Sequence, residues 1–168
     1  MRHIISILLQ NEAGALARVA GMFSARGYNI ESLTVAPTHD ATVSRLTLVT
    51  TGSDAVIDQI IKQSRKLVDV IEIADLTSRA HTECELLIVK VAVTQEKSPR
   101  VAECVRRHTR SLLFDESETT RTIQFTGSCA EINAFLDELG TLTYVFEFVR
   151  SGIAALDRGE RVLADAAA

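Results

Sequence analysis

The chain has 168 residues, of which 46% are apolar and 24% charged, and its formal net charge is −4. This length accommodates one medium domain or two small ones of about 75–85 residues each, and the negative charge excludes the basic surface that nucleic-acid binding requires. No apolar run approaches the ~20 residues that span a membrane, and no secretory cleavage site follows the first apolar stretch, so we expect a cytoplasmic protein.

The cysteine and histidine content predicts neither a disulfide framework nor a metal site. The three cysteines are an odd number, are widely spaced and form no CxxC motif. They are Cys84, Cys104 and Cys129. The histidines show no pairing with cysteine or acidic residues at metal-ligand spacing. They are His3, His39, His81 and His108. We therefore expect three reduced thiols and no bound metal.

The first half of the chain alternates between strand and helix patterns. Residues 3–9 are almost all aliphatic and predict a buried strand. Leu16, Val19 and Phe23 then recur at helical spacing, and Gly27 ends that helix. The following elements are a strand over 29–36, a strand over 43–51 that makes a hairpin with it, a helix that starts at Gly52-Ser53-Asp54, and a strand over 68–74.

The second half repeats this order less clearly. A strand is predicted over 85–93, followed by a helix after Pro99. Strands near 110–114 and 121–126, a helix opened by Ser128 and a strand over 142–149 complete the repeat. We predict one short helix over 151–159.

The predicted order βαββαβ, present twice, indicates an α+β protein with two ferredoxin-like domains. In this plan an antiparallel sheet carries both helices on one face. We place the first domain at residues 1–76, a polar linker at 77–84, the second domain at 85–160 and a disordered tail at 161–168.

The first strand is apolar on both of its faces. Residues 4, 5, 7, 8 and 9 are all apolar, as are 70, 71 and 73. A sheet with helices on one face only would leave half of these side chains exposed. We expect a second copy of the chain to bury them, although a monomer with a scattered apolar surface is an alternative.

The turn after the first strand predicts a binding site for a free amino acid. A helix begins here, and its first N–H groups lack internal partners and carry a partial positive charge that suits a carboxylate. Gly14 allows close approach to the backbone, and Asn11 offers both a donor and an acceptor. Taken alone, the turn favours a structural interpretation, in which Gly14 eases a tight turn and Asn11 caps the helix.

A second polar element lies over residues 26–33, where Asn29 enters the next strand. In isolation it is also compatible with a simple helix stop followed by a polar turn.

Two segments together resemble a known family. Asn11–Leu16 and Arg26–Ala36 resemble the ACT-domain signature of the small regulatory subunit of acetolactate synthase (acetohydroxyacid synthase). Further similarity lies in Ser44–Thr47, Lys66–Val70 and Arg150–Ile153. The resemblance covers nearly the full length and is dense through residue 76.

This resemblance implies a regulatory protein without catalytic activity of its own. Such subunits form ACT-domain homodimers that bind valine at the interface, with the Asn11–Leu16 loop from one copy and the Asn29–Ile30 region from the other. The implied valine-binding residues are Asn11, Gly14, Ala15, Leu16, Asn29, Ile30, Leu33 and Ala36. The implied partner is a large catalytic subunit that uses thiamine diphosphate, Mg²⁺ and FAD, which the small subunit activates and makes sensitive to valine.

Three other functions remain as alternatives. A stand-alone amino-acid-binding ACT regulator would need no catalytic partner. A small ferredoxin-like hydrolase would use Asn11 and Arg18 on an acyl phosphate, but no glycine-rich phosphate cradle is present. A transcription regulator would need a helix-turn-helix and a basic surface, which are missing. The basic residues Arg106, Arg107 and Arg110 are more consistent with a solvated helix face near Asp115 and Glu116 than with an anion site.

Overall fold

The computed structural model describes residues 1–163, and it confirms two ferredoxin-like βαββαβ folds. The first half contains β1 (Arg2–Gln10), α1 (Ala15–Ser24), β2 (Ser32–Pro37), β3 (Val43–Thr51), α2 (Asp54–Ser64) and β4 (Val70–Asp75). The second contains β5 (His81–Ala92), α3 (Ser98–Arg107), β6 (Ser111–Glu116), β7 (Thr120–Gly127), α4 (Cys129–Leu142) and β8 (Val145–Asp157). The strand orders are β2-β3-β1-β4 and β6-β7-β5-β8.

Both helices of each half pack on the same face of their sheet. In the first half Ile5, Ile7 and Leu9 on alternate positions of β1 face Val19 and Phe23 of α1. Each of these side chains is at most 2% exposed. Complete burial of such a side chain contributes about 1.5–3 kcal/mol to stability. The second core has the same construction, with apolar residues of β5 and β7 against α3 and α4.

The outer face of the N-terminal sheet is also buried. Ile4, Ser6 and Leu8 are at most 7% exposed in the single chain. The expectation that this face needs a second copy of the chain for its burial is therefore wrong. Homodimerisation stays a prediction, but it no longer follows from the two apolar faces of β1.

The C-terminal part of β8 belongs to the first of two compact units into which the chain divides. That unit contains Met1–Thr82 and the segment from Ile153, and the second unit contains Glu83–Gly152. Within the first unit, Asp157 pairs with Arg79 at 3.4 Å, and its negative charge acts on Arg45 of β3. Arg45 lies beside Leu8 in the sheet register, which places Asp157 close to the outer face of that sheet.

Two expectations about the C-terminal half need correction. The predicted short helix over 151–159 is wrong, because β8 continues to Asp157. Gly152 has φ +79°, which a right-handed helix does not allow, and burial from Ile153 to Leu156 alternates as in a strand. Of the predicted linker, residues 81–84 lie in β5. Of the predicted disordered tail, residues 161–163 have no regular secondary structure and 164–168 lie outside the described residues.

Candidate functional site

The β1–α1 turn is held against the β2–β3 hairpin by Asn11. The backbone N–H of Asn11 donates to the carbonyl of Thr42 at 2.7 Å, and its side-chain amide donates to the carbonyl of Ala41 at 2.9 Å. The side chain is exposed, and its carbonyl oxygen accepts no hydrogen bond from residues 1–163. That oxygen is therefore available to a donor such as an ammonium group.

Gly14 opens the N-terminus of α1. It is the N-cap residue, with φ +87°, and as a glycine it has no side chain that could hydrogen-bond to the helix. This left-handed conformation favours glycine over residues with a side chain. The N–H of Ala15 donates to the carbonyl of Glu12 at 3.2 Å. No side chain caps the N–H groups of Leu16 and Ala17, which therefore stay open to an anion.

Arg18 and Asp69 form an ion pair beside this turn, and neither residue is among the predicted valine-binding residues. Arg18 donates from Nε to Asp69 Oδ2 at 2.5 Å and from Nη2 to Oδ1 at 2.7 Å. The hydrogen bond from Arg18 is the main cause that lowers the pKa of Asp69, and the same bond raises the pKa of Arg18. The third nitrogen, Nη1, would lie 2.9 Å from a Cβ built on Gly14.

A signal for this pair was present in the sequence. Arg18 lies one helical turn after Gly14, and Asp69 lies in the family-like segment Lys66–Val70. Because the two residues are 51 positions apart along the chain, local sequence patterns did not predict their contact. The pair also weakens the hydrolase alternative, because two of the three guanidinium nitrogens of Arg18 are already engaged by Asp69.

An open pocket of about 220 Å³ lies between this turn and the end of β2. Its lining residues are Leu9, Gln10, Asn11, Glu12, Ala15, Leu16, Val35, Ala36, Pro37 and Ser44. Four of the predicted site residues, Asn11, Ala15, Leu16 and Ala36, are among them. Most of the lining is apolar, and its polar residues lie at the turn and its approach, except Ser44 on β3. This combination is typical of sites for small amphipathic ligands.

Of the remaining predicted residues, Gly14 lies in the turn itself, Asn29 and Ile30 lie in the loop before β2, and Leu33 lies in β2. The carbonyl of Asn29 accepts a hydrogen bond from Thr50 at 2.6 Å, whereas Asn11 is bonded to Thr42. Thr42 and Thr50 are eight residues apart along extended chain, which corresponds to roughly 25 Å. Ile30 and Leu33 pack partly buried against the N-terminal core. A single chain therefore does not bring Asn29 and Ile30 to the β1–α1 pocket.

The basic residues of the second half are mostly engaged in ion pairs. Arg107 pairs with Glu138 and Arg110 pairs with Glu131. These partners differ from the expected Asp115 and Glu116, but the pairing agrees with a solvated face rather than an anion site.

All three cysteines are free thiols. Within the described residues, no helix is long and apolar enough to cross a membrane.

Comparisons with known proteins agree with the resemblance read from the sequence. A family profile described as the AHAS small subunit-like ACT domain matches residues 5–72, and one described as the small subunit of acetolactate synthase matches residues 84–159. The chain is 45% identical to the acetolactate synthase isozyme 3 small subunit of Salmonella typhimurium over 166 residues, which covers 97% of this chain and 99% of that protein. The Escherichia coli protein of the same name is 43% identical with the same coverage.

A solved structure extends this agreement to the fold. The acetolactate synthase small subunit of Thermotoga maritima superposes with a TM-score of 0.87 at 31% identity, covering 96% of this chain and 99% of that one. Sequence similarity and fold therefore coincide over nearly the full length of the chain. The chain belongs to the family of acetolactate synthase small subunits, and its first half is an ACT domain.

Proposed function

We propose that this chain is a regulatory subunit that binds valine and transmits valine occupancy to a catalytic large subunit of acetolactate synthase. The observation that carries the proposal is the uncapped N-terminus of α1 at Gly14, which lies beside an apolar pocket in a chain of this family. On this proposal the chain performs no reaction of its own. Its role is feedback inhibition in the biosynthesis of valine, leucine and isoleucine.

The chemistry of the turn suits each part of valine. A carboxylate that accepts hydrogen bonds from the N-terminus of α1 would gain roughly 1.5–3 kcal/mol. The ammonium group would donate to the side-chain carbonyl of Asn11. The isopropyl group would lie against Leu16 and Ala36, and its two extra carbons relative to alanine, at ~0.8 kcal/mol each, correspond to about tenfold selectivity.

A homodimer would complete the site. Asn11 and Asn29 lie at opposite ends of one sheet. A two-fold axis between two ACT domains can bring the Asn29 end of one copy to the Asn11 end of the other, and it does so twice. This gives two equivalent valine sites per dimer. It also predicts that a single copy of residues 1–76 binds valine poorly.

Inhibition then requires that valine binds one arrangement of the complex more tightly than another. Typical coupling free energies of about 1–3 kcal/mol suffice for a five- to 150-fold effect. The catalytic partner would carry thiamine diphosphate, Mg²⁺ and FAD. It would condense two pyruvates, or pyruvate with 2-oxobutyrate, and this chain would raise its activity.

The experiment is a Gly14→Asp substitution in the complex with the large subunit. The new carboxylate would occupy the position of the ligand's carboxylate, and aspartate tolerates a positive φ better than most residues. We expect the variant still to activate acetolactate formation by the large subunit. The valine concentration for half-inhibition should rise at least about tenfold.

The matched control is Gly159→Asp. Gly159 also has a positive φ, of +80°, but open space around it and no place in the site. We expect this variant to retain both activation and valine inhibition. Unchanged valine sensitivity in Gly14→Asp would contradict the site, and valine binding without any effect on the large subunit would indicate the stand-alone regulator instead.

A further inference from the structure

Three potential metal ligands converge in the C-terminal half, outside the candidate valine site. Cys104 lies on α3, His108 follows at the C-terminal cap of that helix, and Glu138 lies on α4. The thiol sulfur, a ring nitrogen and a carboxylate oxygen of these residues all lie within 4.8 Å of one another. Cys104 and His108 are four residues apart, which places both side chains on one side of the helix, although the sequence did not predict a metal site there.

The carboxylate and the imidazole of this cluster are already oriented. His108 Nε2 lies 2.8 Å from Glu138 Oε2, and Arg107 donates to the other carboxylate oxygen, Oε1. The rings of Phe125 and Phe135 contact His108 edge-on, with centroid distances of 5.9 and 5.0 Å. Neighbours that hold a ligand's second atom in this way are a regular feature of protein metal sites.

The thiol is the most deeply buried member of the cluster. Cys104 is 1% exposed, and burial raises the pKa of its thiol. His108 and Glu138 are about 30% exposed, so the cluster is accessible from the side of these two residues.

We propose that Cys104 Sγ, His108 Nε2 and Glu138 Oε2 bind one Zn²⁺ ion. A sulfur, nitrogen and oxygen set suits Zn²⁺, with bond lengths of about 2.3, 2.0–2.1 and 2.0–2.2 Å, and water takes the fourth tetrahedral position. The ion replaces the hydrogen bond between His108 and Glu138, so the proton of that bond is released to solvent and the imidazole binds as the neutral tautomer protonated at Nδ1. The thiol also loses its proton to solvent on binding. The charges of the thiolate and the carboxylate then balance those of the ion, while Arg107 keeps its bond to Oε1.

A bound ion would link α3 to α4 and so stabilise the C-terminal half. Because the thiol must lose a proton, affinity would fall as the pH is lowered. Neither effect requires valine or the large subunit, so this proposal is independent of the proposed function.

The test is a titration of the reduced, full-length chain with Co²⁺, followed by displacement with Zn²⁺. We expect a thiolate-to-cobalt charge-transfer band at one equivalent of Co²⁺, which Zn²⁺ abolishes. Cys104→Ser should abolish the band, and Glu138→Gln should weaken Co²⁺ binding at least about tenfold. Cys84→Ser, which removes an exposed thiol, is the matched control and should retain the full band.

Two results would overturn the proposal. One is the absence of a charge-transfer band in the parent chain. The other is a band that persists in Cys104→Ser, which would assign the ion to another thiol. If Cys104→Ser does not fold, the Co²⁺ affinity of Glu138→Gln tests the site, and an unchanged affinity would contradict it. This variant should fold, because the side chain of Glu138 is partly exposed and glutamine has a similar size and can form hydrogen bonds.

Discussion

The two halves of this chain share a topology but differ at the turn between first strand and first helix. In the first half that turn ends in Gly14, whose left-handed backbone leaves the N-terminus of α1 open beside a pocket. In the second half the corresponding helix, α3, follows the N-cap residue Lys97, whose backbone is right-handed, and Pro99 removes one N–H from its first turn. The two halves therefore differ at this turn because its residues differ, and only the turn at Gly14 belongs to the candidate site.

A further difference concerns the second helix of each half. The N-terminus of α4 is closed by a capping box, in which Ser128 and Glu131 satisfy each other's backbone N–H groups. The N-terminus of α2 follows Ser53, which makes no side-chain hydrogen bond to the helix. Of the four helices within residues 1–163, α4 is closed by local side chains, whereas α1, α2 and α3 have no side-chain cap.

The largest expected effect is the loss of stability when a buried ring is removed from either core. Phe23→Ala and Phe135→Ala each remove a fully buried ring, and each should lower the free energy of unfolding by about 3–5 kcal/mol. Urea denaturation measures this loss. Because Phe23 supports α1 and Phe135 supports α4, only Phe23→Ala should also weaken valine binding in calorimetry. An equal loss of valine affinity in Phe135→Ala would show that the site does not depend on the N-terminal core alone.

A smaller effect is expected at the helix caps. Ser128→Ala removes the side-chain acceptor of the capping box and should lower the free energy of unfolding by about 1 kcal/mol. Ser53→Ala, at the same position of α2, should change it by no more than a few tenths of a kcal/mol, since no cap bond is lost. Thermal unfolding of the two variants compares them directly, and equal shifts would contradict the role of the capping box.

The smallest effect is a pH dependence confined to the second half. Hydrogen bonds from Ser128, supported by Arg110, lower the pKa of Glu131 to about 2, compared with an ordinary value of 4.5. Between these values the unfolded chain binds more protons than the folded chain. The stability that Glu131 contributes is therefore present above pH 4.5 and is lost as the pH falls towards 2.

The free energy of unfolding, measured from pH 6 to pH 2.5, should thus decrease less steeply in Glu131→Gln than in the parent chain. Glu118→Gln, on the β6–β7 turn, serves as the control and should follow the parent. If the free energies of unfolding of Glu131→Gln and of the parent chain fall in parallel with pH, the carboxylate of Glu131 is not a source of acid sensitivity.

Much of the candidate site could be predicted from the sequence because its central feature is local. Asn11, Gly14, Ala15 and Leu16 belong to one turn, and hydrophobic periodicity alone places that turn between a strand and a helix. The partnership of Arg18 with Asp69 could not be predicted in this way, since it joins α1 to the start of β4 across 51 residues.

The sequence by itself determined the order of strands and helices in both halves, because periods of 2 and 3.6 residues record which side chains face a core. Only the tertiary structure decided that the outer face of β1 is buried in a single chain and that residues 151–157 form a strand. It also decided that Asn29 lies at the far end of the sheet from Asn11. Each of these outcomes depends on contacts between residues distant in sequence, which outweigh local preference. The place of the turn at Gly14 between a strand and a helix follows from local periodicity, and it could therefore be predicted from the chain alone.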